Sequence, residues 1–451
     1  MASELDQLVE RLQRENAELL AENGRLRQQV TELLARIAEL ERSAARQAGP
    51  FRREEPKKIP ADQQKKPGRK PGHLGCYRRP PSQVDEQIEV ALPACPRCGG
   101  AITDRQPLTQ YIEEIPPVRP LVVRLTTWSG VCPQCGVVHS SHPLQTSRAQ
   151  GAARTQLGPR ALSLAALLNK HMGLPMGRTC QVLRKICGLS ITRGGLSQAL
   201  VRVAAKLAPE YDALVEELRG SAAVFADETS WWVGGPGWWL WTFTNPQTTL
   251  YRVEKSRGGQ VVRDTLSDYQ GMLVSDCLAS YDSLPYRKHK CIAHHLRAIR
   301  QARDRPDTPD KSYLDQWKLL FDAVFALYKA REGMPPERFV EERARIETWC
   351  DRLVRQSVTQ PGDVAVQNRL AKQWAHLLGC LHDPAAEPTN NRAERALRPA
   401  VIARKLSCGN KTERGKRCWE ILASLAATAH QKSEDFVDKL TQALPLAPQA
   451  G

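Results

Sequence analysis

Three carboxylates stand where chemistry could use them. Asp227 ends the apolar run Ala-Val-Phe-Ala at 223–226, Asp276 ends Gly-Met-Leu-Val-Ser at 271–275, and Glu394 sits in Asn390-Asn391-Arg-Ala-Glu394-Arg-Ala-Leu-Arg398-Pro. Short apolar runs read as buried strands, so the first two acids are each delivered at a strand end. Asn390, Asn391, Glu394 and Arg398 have the spacing of one helix face. Carboxylates so held can bind two divalent cations ~4 Å apart, one activating water or a 3′ hydroxyl and the other stabilising the leaving oxygen of a phosphodiester. Solvated acids could occupy the same positions with no such role. Asp282 rivals Asp276, and Glu228 is placed to support Asp227 from behind.

A second constellation is made of thiols. Cys95-Pro-Arg-Cys98-Gly and Cys132-Pro-Gln-Cys135-Gly are matching knuckles, and four thiolates make a closed tetrahedral zinc site with no position left for substrate. The role expected is therefore structural. The 33 residues between the pairs exceed a common ribbon gap, but contain two strand-like runs, 110–115 and 121–128, that a ribbon hairpin could use. The N-terminus reads as an acidic-basic helix pattern rather than a signal peptide, so the thirteen cysteines are expected to be thiols and metal ligands rather than disulfides.

The elements that must position these groups begin with a zipper. Leucine recurs at 5, 12, 19, 26, 33 and 40, with Val9, Asn16, Asn23, Val30 and Ile37 at the companion position. Branched and Asn residues at that position favour a parallel two-stranded coil, with a higher oligomer or a helix packed on the body as alternatives. A tether follows, in which residues 51–80 hold ten Lys or Arg against three Asp or Glu and cannot fold alone. Arg69 and Lys70, between Pro-Gly turns, are either minor-groove contacts or plain linker charge. Residues 154–220 read as helices broken at Gly173, Gly188 and Gly194-Gly195. Within them, 178–187, a glycine turn and 193–204 have a helix-turn-helix layout, or that of an ordinary helix pair. Arg193, Ser197, Gln198 and Arg202 would be exposed to DNA, with Leu196, Leu200 and Val203 facing the core.

Beyond residue 221 the pattern predicts a three-strand antiparallel meander, whose strands carry five of the ten tryptophans and turn at Gly-Gly-Pro-Gly. A short helix at 259–266 and the Asp276 strand come next. Those tryptophans read as sheet core or as a hairpin lid. Residues 301–385 read as helical throughout. Lys and Arg total 65 against 49 acids, a net charge of +16 that favours a polyanion, nucleic acid before membrane. No window is long and apolar enough to span a bilayer, so a cytoplasmic, nucleoid-associated protein is expected.

The motifs Ala226-Asp-Glu-Thr229, Ser-Asp276-Cys-Leu-Ala-Ser-Tyr-Asp282, Cys291-Ile-Ala-His294 and Asn390-Asn-Arg-Ala-Glu-Arg-Ala-Leu-Arg-Pro399, with Ala403-Arg-Lys405 after them, resemble those of the insertion-sequence-66 family of transposases. So does the order of parts. The resemblance implies a multidomain α+β protein: coiled coil 1–46, basic tether 47–85, zinc ribbon 86–145, helix-turn-helix region 150–220, and a ribonuclease-H-like α/β catalytic domain. That domain would run over 221–300 and 386–451, with a helical insertion at 301–385. The family's catalytic acids fall on Asp227, Asp276 and Glu394, with Mg2+ or Mn2+ at those acids and structural Zn2+ at the thiols. Cys291, His294, Asn391 and Arg398 become supporting candidates, Cys291 and His294 being open equally to a buried structural role. This chain reads His295-Leu296-Arg297 where family members often carry two basic residues. The expected partners are double-stranded DNA, as terminal inverted repeats and as target, a second copy of the chain, and small accessory proteins of the element. A DNA-binding regulator without activity, or a structure-selective nuclease on the same fold, are the alternatives.

Overall fold

The computed structural model describes residues 2–46, 72, 78–104, 106–142, 145 and 155–444. Arg69 and Lys70, and most of the tether, lie outside the described residues. Two compact units divide the chain, Met1–Ile115 and Pro116–Gly451.

In the first unit, helix α1 (Ala2–Arg46) runs through the whole heptad region. Among the described residues its stripe is exposed: Leu19, Leu26, Val30, Leu33 and Ile37 are each at least half exposed. The first cysteine knuckle closes as a turn, with Gly99 N–H donating to the Cys95 carbonyl and Cys95 N–H to that of Gly100.

The second unit opens with a hairpin, β1 (Ser129–Cys132) and β2 (Gly136–His139), whose turn is the second knuckle. The runs at 110–115 and 121–128, expected as ribbon strands, form none. Their large apolar side chains are exposed, Ile112 and Leu121 to about nine-tenths. Branched residues favour a strand only where a partner and a covered face exist; among the described residues neither run joins a ladder, although the Trp128 carbonyl accepts from Ser140 N–H just beyond the hairpin.

Helices α2 (Pro159–Ala166), α3 (Met176–Cys187), α4 (Arg193–Lys206) and α5 (Ala208–Arg219) follow, with one π-helical turn, Leu167–His171, after α2. Gly188 ends α3 in the left-handed region at φ 67°, where a side chain would be strained. The expected break at Gly194-Gly195 does not occur. Thr192 caps α4 by accepting from Gly195 N–H, and both glycines sit in the first turn.

The sheet comprises β3 (Ala223–Trp231), β4 (Trp238–Thr244), β5 (Thr249–Glu254), β6 (Met272–Ser275) and β7 (Arg287–Lys290), with helix α6 (Gln260–Thr265) crossing from β5 to β6. Its order is β5-β4-β3-β6-β7, antiparallel on the β5 side of β3 and parallel on the β6 side. The helical stretch inside the domain is α7 (Ile292–Arg303), α8 (Ser312–Ala330), α9 (Pro336–Arg355), α10 (Pro361–Lys372), α11 (Trp374–Leu377) and α12 (Gly379–His382). Helices α13 (Asn391–Ser407), α14 (Glu413–Gln431) and α15 (Phe436–Ala443) complete the chain.

Strand alternation divides the core between two faces. Val224, Ala226 and Leu273 pack with the helices around α4, α5 and α14, whereas Ala223, Phe225 and Val274 pack with α7, α8 and Ala393 of α13. Four of the five tryptophans in the meander are within or against the core, and Trp232 alone of them is substantially exposed. The free edge of β5 is covered by α14. Thr249, Tyr251 and Val253, alternate residues, donate their N–H groups to Thr428 Oγ1 (3.1 Å), Ser424 Oγ (2.8 Å) and Glu420 Oε1 (2.6 Å), which stand one helical turn apart. A strand edge that would otherwise recruit another chain is thereby closed.

Candidate active site

The parallel register decides where the acids fall. Ala226 is the partner of Ser275, so Asp227 and Asp276 are the next residues on adjoining strands and lie on the same face. Each is fixed by a local amide: Asp227 accepts from Glu228 N–H at 2.9 Å and Asp276 from Leu278 N–H at 2.9 Å. Both remain partly open to solvent, as does Glu394.

Glu394 arrives on the first turn of α13. Asn390, fully buried, precedes that helix and donates its side-chain amide to the Ala226 carbonyl at 2.8 Å. Its backbone N–H donates to Cys291 Sγ at 3.1 Å, and Cys291 N–H donates to the Ser275 carbonyl at 2.9 Å. One residue thus joins the Glu394 helix to both strands that carry the aspartates. The other end of α13 is held too, because Asn410 exchanges backbone hydrogen bonds with Trp232 and Gly234 of the meander turn. Gly409 between them, at φ 99°, approaches the Trp232 carbonyl so closely that a Cβ would stand 2.5 Å from it.

The electrostatics reflect this crowding. Burial, then the charges of Glu228, Asp276 and Glu394, push the Asp227 carboxyl well above its ordinary range. His294 is held below the ordinary histidine range by burial, against the pull of Asp276 and Glu394, so it faces the same group of acids. Among the described residues no three His, Cys, Asp or Glu side chains already stand in ligating arrangement around one point. Carboxylate oxygen donors suit magnesium or manganese. Two buried polar atoms beside them, His294 Nδ1 and Asn390 Oδ1, have no hydrogen-bond partner. The residues present therefore fit a hydrated divalent cation.

The remaining sequence candidates separate by surroundings. Cys291 is buried, its thiol pushed up by burial, and it serves as an acceptor for the Asn390 backbone. Asn391 and Arg398 are exposed on α13. Asp282 pairs with Lys290 at 3.1 Å and lies nearer the helical stretch, accepting from Gln373. Glu228 points to the opposite face and is engaged by Arg257 (2.8 Å) and Tyr281 (2.9 Å). Its burial raises its pKa first, and Asp276 adds to the rise. Sequence reasoning gave Asn390 no role of its own and missed Lys290 and Tyr281. The Asn390-Asn391 pair at a helix start was the available signal for the first.

On the helix pair, Arg193, Ser197, Gln198 and Arg202 are exposed along α4, while Leu196, Leu200 and Val203 are buried. The Arg193 guanidinium lies over Gly177 of α3, where a Cβ would come within 3.0 Å of it. At the knuckles, the N–H groups of Arg97 and Cys98 hold the Cys95 thiol below its ordinary range, and those of Cys135 and Gln134 do the same for Cys132. No helix among the described residues is long and apolar enough to cross a membrane.

A family model described as Transposase IS66 family matches residues 154–418, more than half of the chain. Three proteins of Sinorhizobium fredii (strain NBRC 101917 / NGR234) are similar across most of their length. Uncharacterized protein y4qI is 24% identical over 416 residues, covering 84% of this chain and 75% of the relative. Uncharacterized protein y4jD is 25% identical over 394 residues, with 80% and 74% covered, and uncharacterized protein y4hP is 23% identical over 389 residues, with 76% and 67% covered. Asp276 follows the end of β6 as expected, whereas Asp227 stands mid-strand because β3 runs on to Trp231 in its pairing with β4. The matched span contains both aspartates, the Asn390 tie and Glu394, and the chain belongs to the IS66 family of transposases.

Proposed function

We propose that the chain binds the inverted terminal repeats of its own insertion sequence and catalyses divalent-metal-dependent DNA cleavage and strand transfer, with Asp227, Asp276 and Glu394 as the metal ligands. The observation that carries this reading is the register that sets the two aspartates side by side, with Asn390 bringing the Glu394 helix onto them. The sheet order, antiparallel then parallel about β3, supports a ribonuclease-H-like catalytic domain interrupted by the helical stretch 301–385. Bound magnesium or manganese would supply charge for the attacking and leaving oxygens of a phosphodiester. The residues supply the rest: the acids orient, and Asn390 fixes their spacing. His294 stays neutral at physiological pH and offers a ring nitrogen at the edge of the site.

End recognition is assigned to α4, whose exposed Arg193, Gln198 and Arg202 would enter the major groove, with Arg69 and Lys70 of the tether adding minor-groove contacts. The uncovered leucine stripe of α1 supports a parallel dimer, with Asn16 and Asn23 pairing across its axis. Equal light-scattering masses for the intact chain and one lacking residues 1–46 would remove that proposal. Zinc is assigned to Cys95, Cys98, Cys132 and Cys135, on the backbone amides that each knuckle turns toward its first thiol. Labelled element ends incubated with target plasmid and Mg2+ test the function: joined products support a transposase. Nicked ends without joining indicate a nuclease, and binding alone indicates a regulator.

A further inference from the structure

Behind the acids, on the opposite face of the sheet, lies a buried cation that the chemistry above leaves unused. Lys290 on β7 is the register partner of Ser275, one residue before Asp276, and alternation turns its side chain away from the aspartate face. Its ammonium is fully buried. It donates to Ser275 Oγ at 3.4 Å and to the Asp276 carbonyl at 3.1 Å, pairs with Asp282 Oδ1 at 3.1 Å, and stands 5.2 Å from the centre of the Tyr281 ring. All four partners belong to residues 275–282, the segment that presents Asp276.

A buried ammonium is tolerated only where its surroundings compensate it. Here one short segment provides the compensation by wrapping around the cation. An apolar side chain would fill the same space, but the Asp276 carbonyl would lose the ammonium donor, and the Asp282 carboxylate would lose its buried cation and keep only Gln373 and the more distant Lys372 (3.6 Å). Lys288, two residues earlier, reinforces the wrap by donating to the Asp282 and Leu284 carbonyls at 2.7 Å each. Asp282 also accepts from Gln373 at 3.1 Å, which links the segment to the helices inserted before α13.

We propose that Lys290 is a positioning residue: its ammonium is the internal cation around which residues 275–282 fold, and it thereby sets where the Asp276 carboxylate stands. The consequence for metal rests on the reading of Asp276 as a ligand. The order of the segment does not.

Full-length Lys290→Met and Asp282→Asn proteins, with Asp276→Asn as the reference for a lost ligand, are compared with the wild type in two measurements. One is hydrogen–deuterium exchange over residues 275–284, and the other is Mn2+ titration followed by electron paramagnetic resonance. Loss of an outer partner weakens metal binding by about 10- to 100-fold in comparable sites. Lys290→Met should therefore speed exchange in the segment, leave β4 unchanged, and weaken Mn2+ binding by about tenfold or more. Unchanged exchange overturns the proposal, and so does faster exchange with unchanged Mn2+ affinity. Should Lys290→Met fail to fold, Asp282→Asn, at a site with a 25% exposed side chain, decides by the same two readouts. If Asp276→Asn leaves Mn2+ binding intact, the ligand reading is what fails, and exchange alone then decides the role of Lys290.

Discussion

The side-chain amide of Asn390 donates to the carbonyl oxygen of Ala226 at 2.8 Å, tying the helix that carries Glu394 to the residue immediately before Asp227. Asn390→Ala removes that tie and leaves the Ala226 carbonyl without the amide donor, while all three acidic side chains are retained. Cleavage of element ends in single turnover should fall by about 10- to 100-fold, with DNA binding retained. Wild-type cleavage in this variant would mean that Glu394 is placed by something else.

The knuckles make a metal prediction that DNA chemistry does not touch. Freshly purified protein should carry about one zinc per chain, and Cys98→Ser should lose it, because site formation and folding are coupled. Elemental analysis that finds no zinc in the wild type contradicts the assignment.

The covered edge of β5 should matter for stability. Ser424 Oγ accepts from Tyr251 N–H and donates to the Glu420 carbonyl at 2.6 Å, all of it buried. Ser424→Ala leaves a strand N–H orphaned, which costs about 1–3 kcal/mol. Urea denaturation should register the loss in the unfolding of the second unit, with no accompanying change in zinc content.

Two buried histidines set the acid limit. His289 is pushed down to about 4 by burial, and His295 to about 3 by burial and the charge of Arg369. Both folded values lie below that of the unfolded chain, so from pH 6.5 down towards 4 the unfolded state takes up protons that the folded state refuses. Melting temperature should fall over that window. His295→Gln should shrink the slope, and an unchanged slope in that variant would show that His295 does not contribute.

Much of the site was legible because acids after apolar runs obey strand physics. Ala223 to Ala226 and Met272 to Ser275 are buried in strands, although the first strand continues through Asp227 to Trp231, and the meander with its Gly-rich turn formed as the alternation predicts. Strand β7 was not legible. Arg-Lys-His-Lys has no apolar signature, and its last three residues are buried only because loop carbonyls, Pro388 and Asp282 satisfy them. The runs at 110–115 and 121–128 failed in the opposite sense, being strand-like in type but without a partner. Gly194-Gly195 misled because the Thr192 cap, together with the burial of Leu196, Leu200 and Val203, holds α4 against the low helix propensity of two glycines. Contacts made by residues a hundred or more positions apart, such as Asn390 with Ala226, leave no local trace to read.

In the proposed mechanism Glu394 completes a metal site with Asp227 and Asp276. Glu394→Gln keeps size and helix propensity while removing the charge that would hold a cation. End cleavage with Mg2+ or Mn2+ should be abolished, and end binding should stay level or tighten slightly as one negative charge leaves the phosphates. Asp227→Asn and Asp276→Asn should match it, and double changes should be no worse than single ones. Glu387→Gln, whose carboxylate is paired with Arg392, is the control expected to cleave. Glu394→Gln protein that cleaves and joins labelled ends at the wild-type rate would contradict the claim outright.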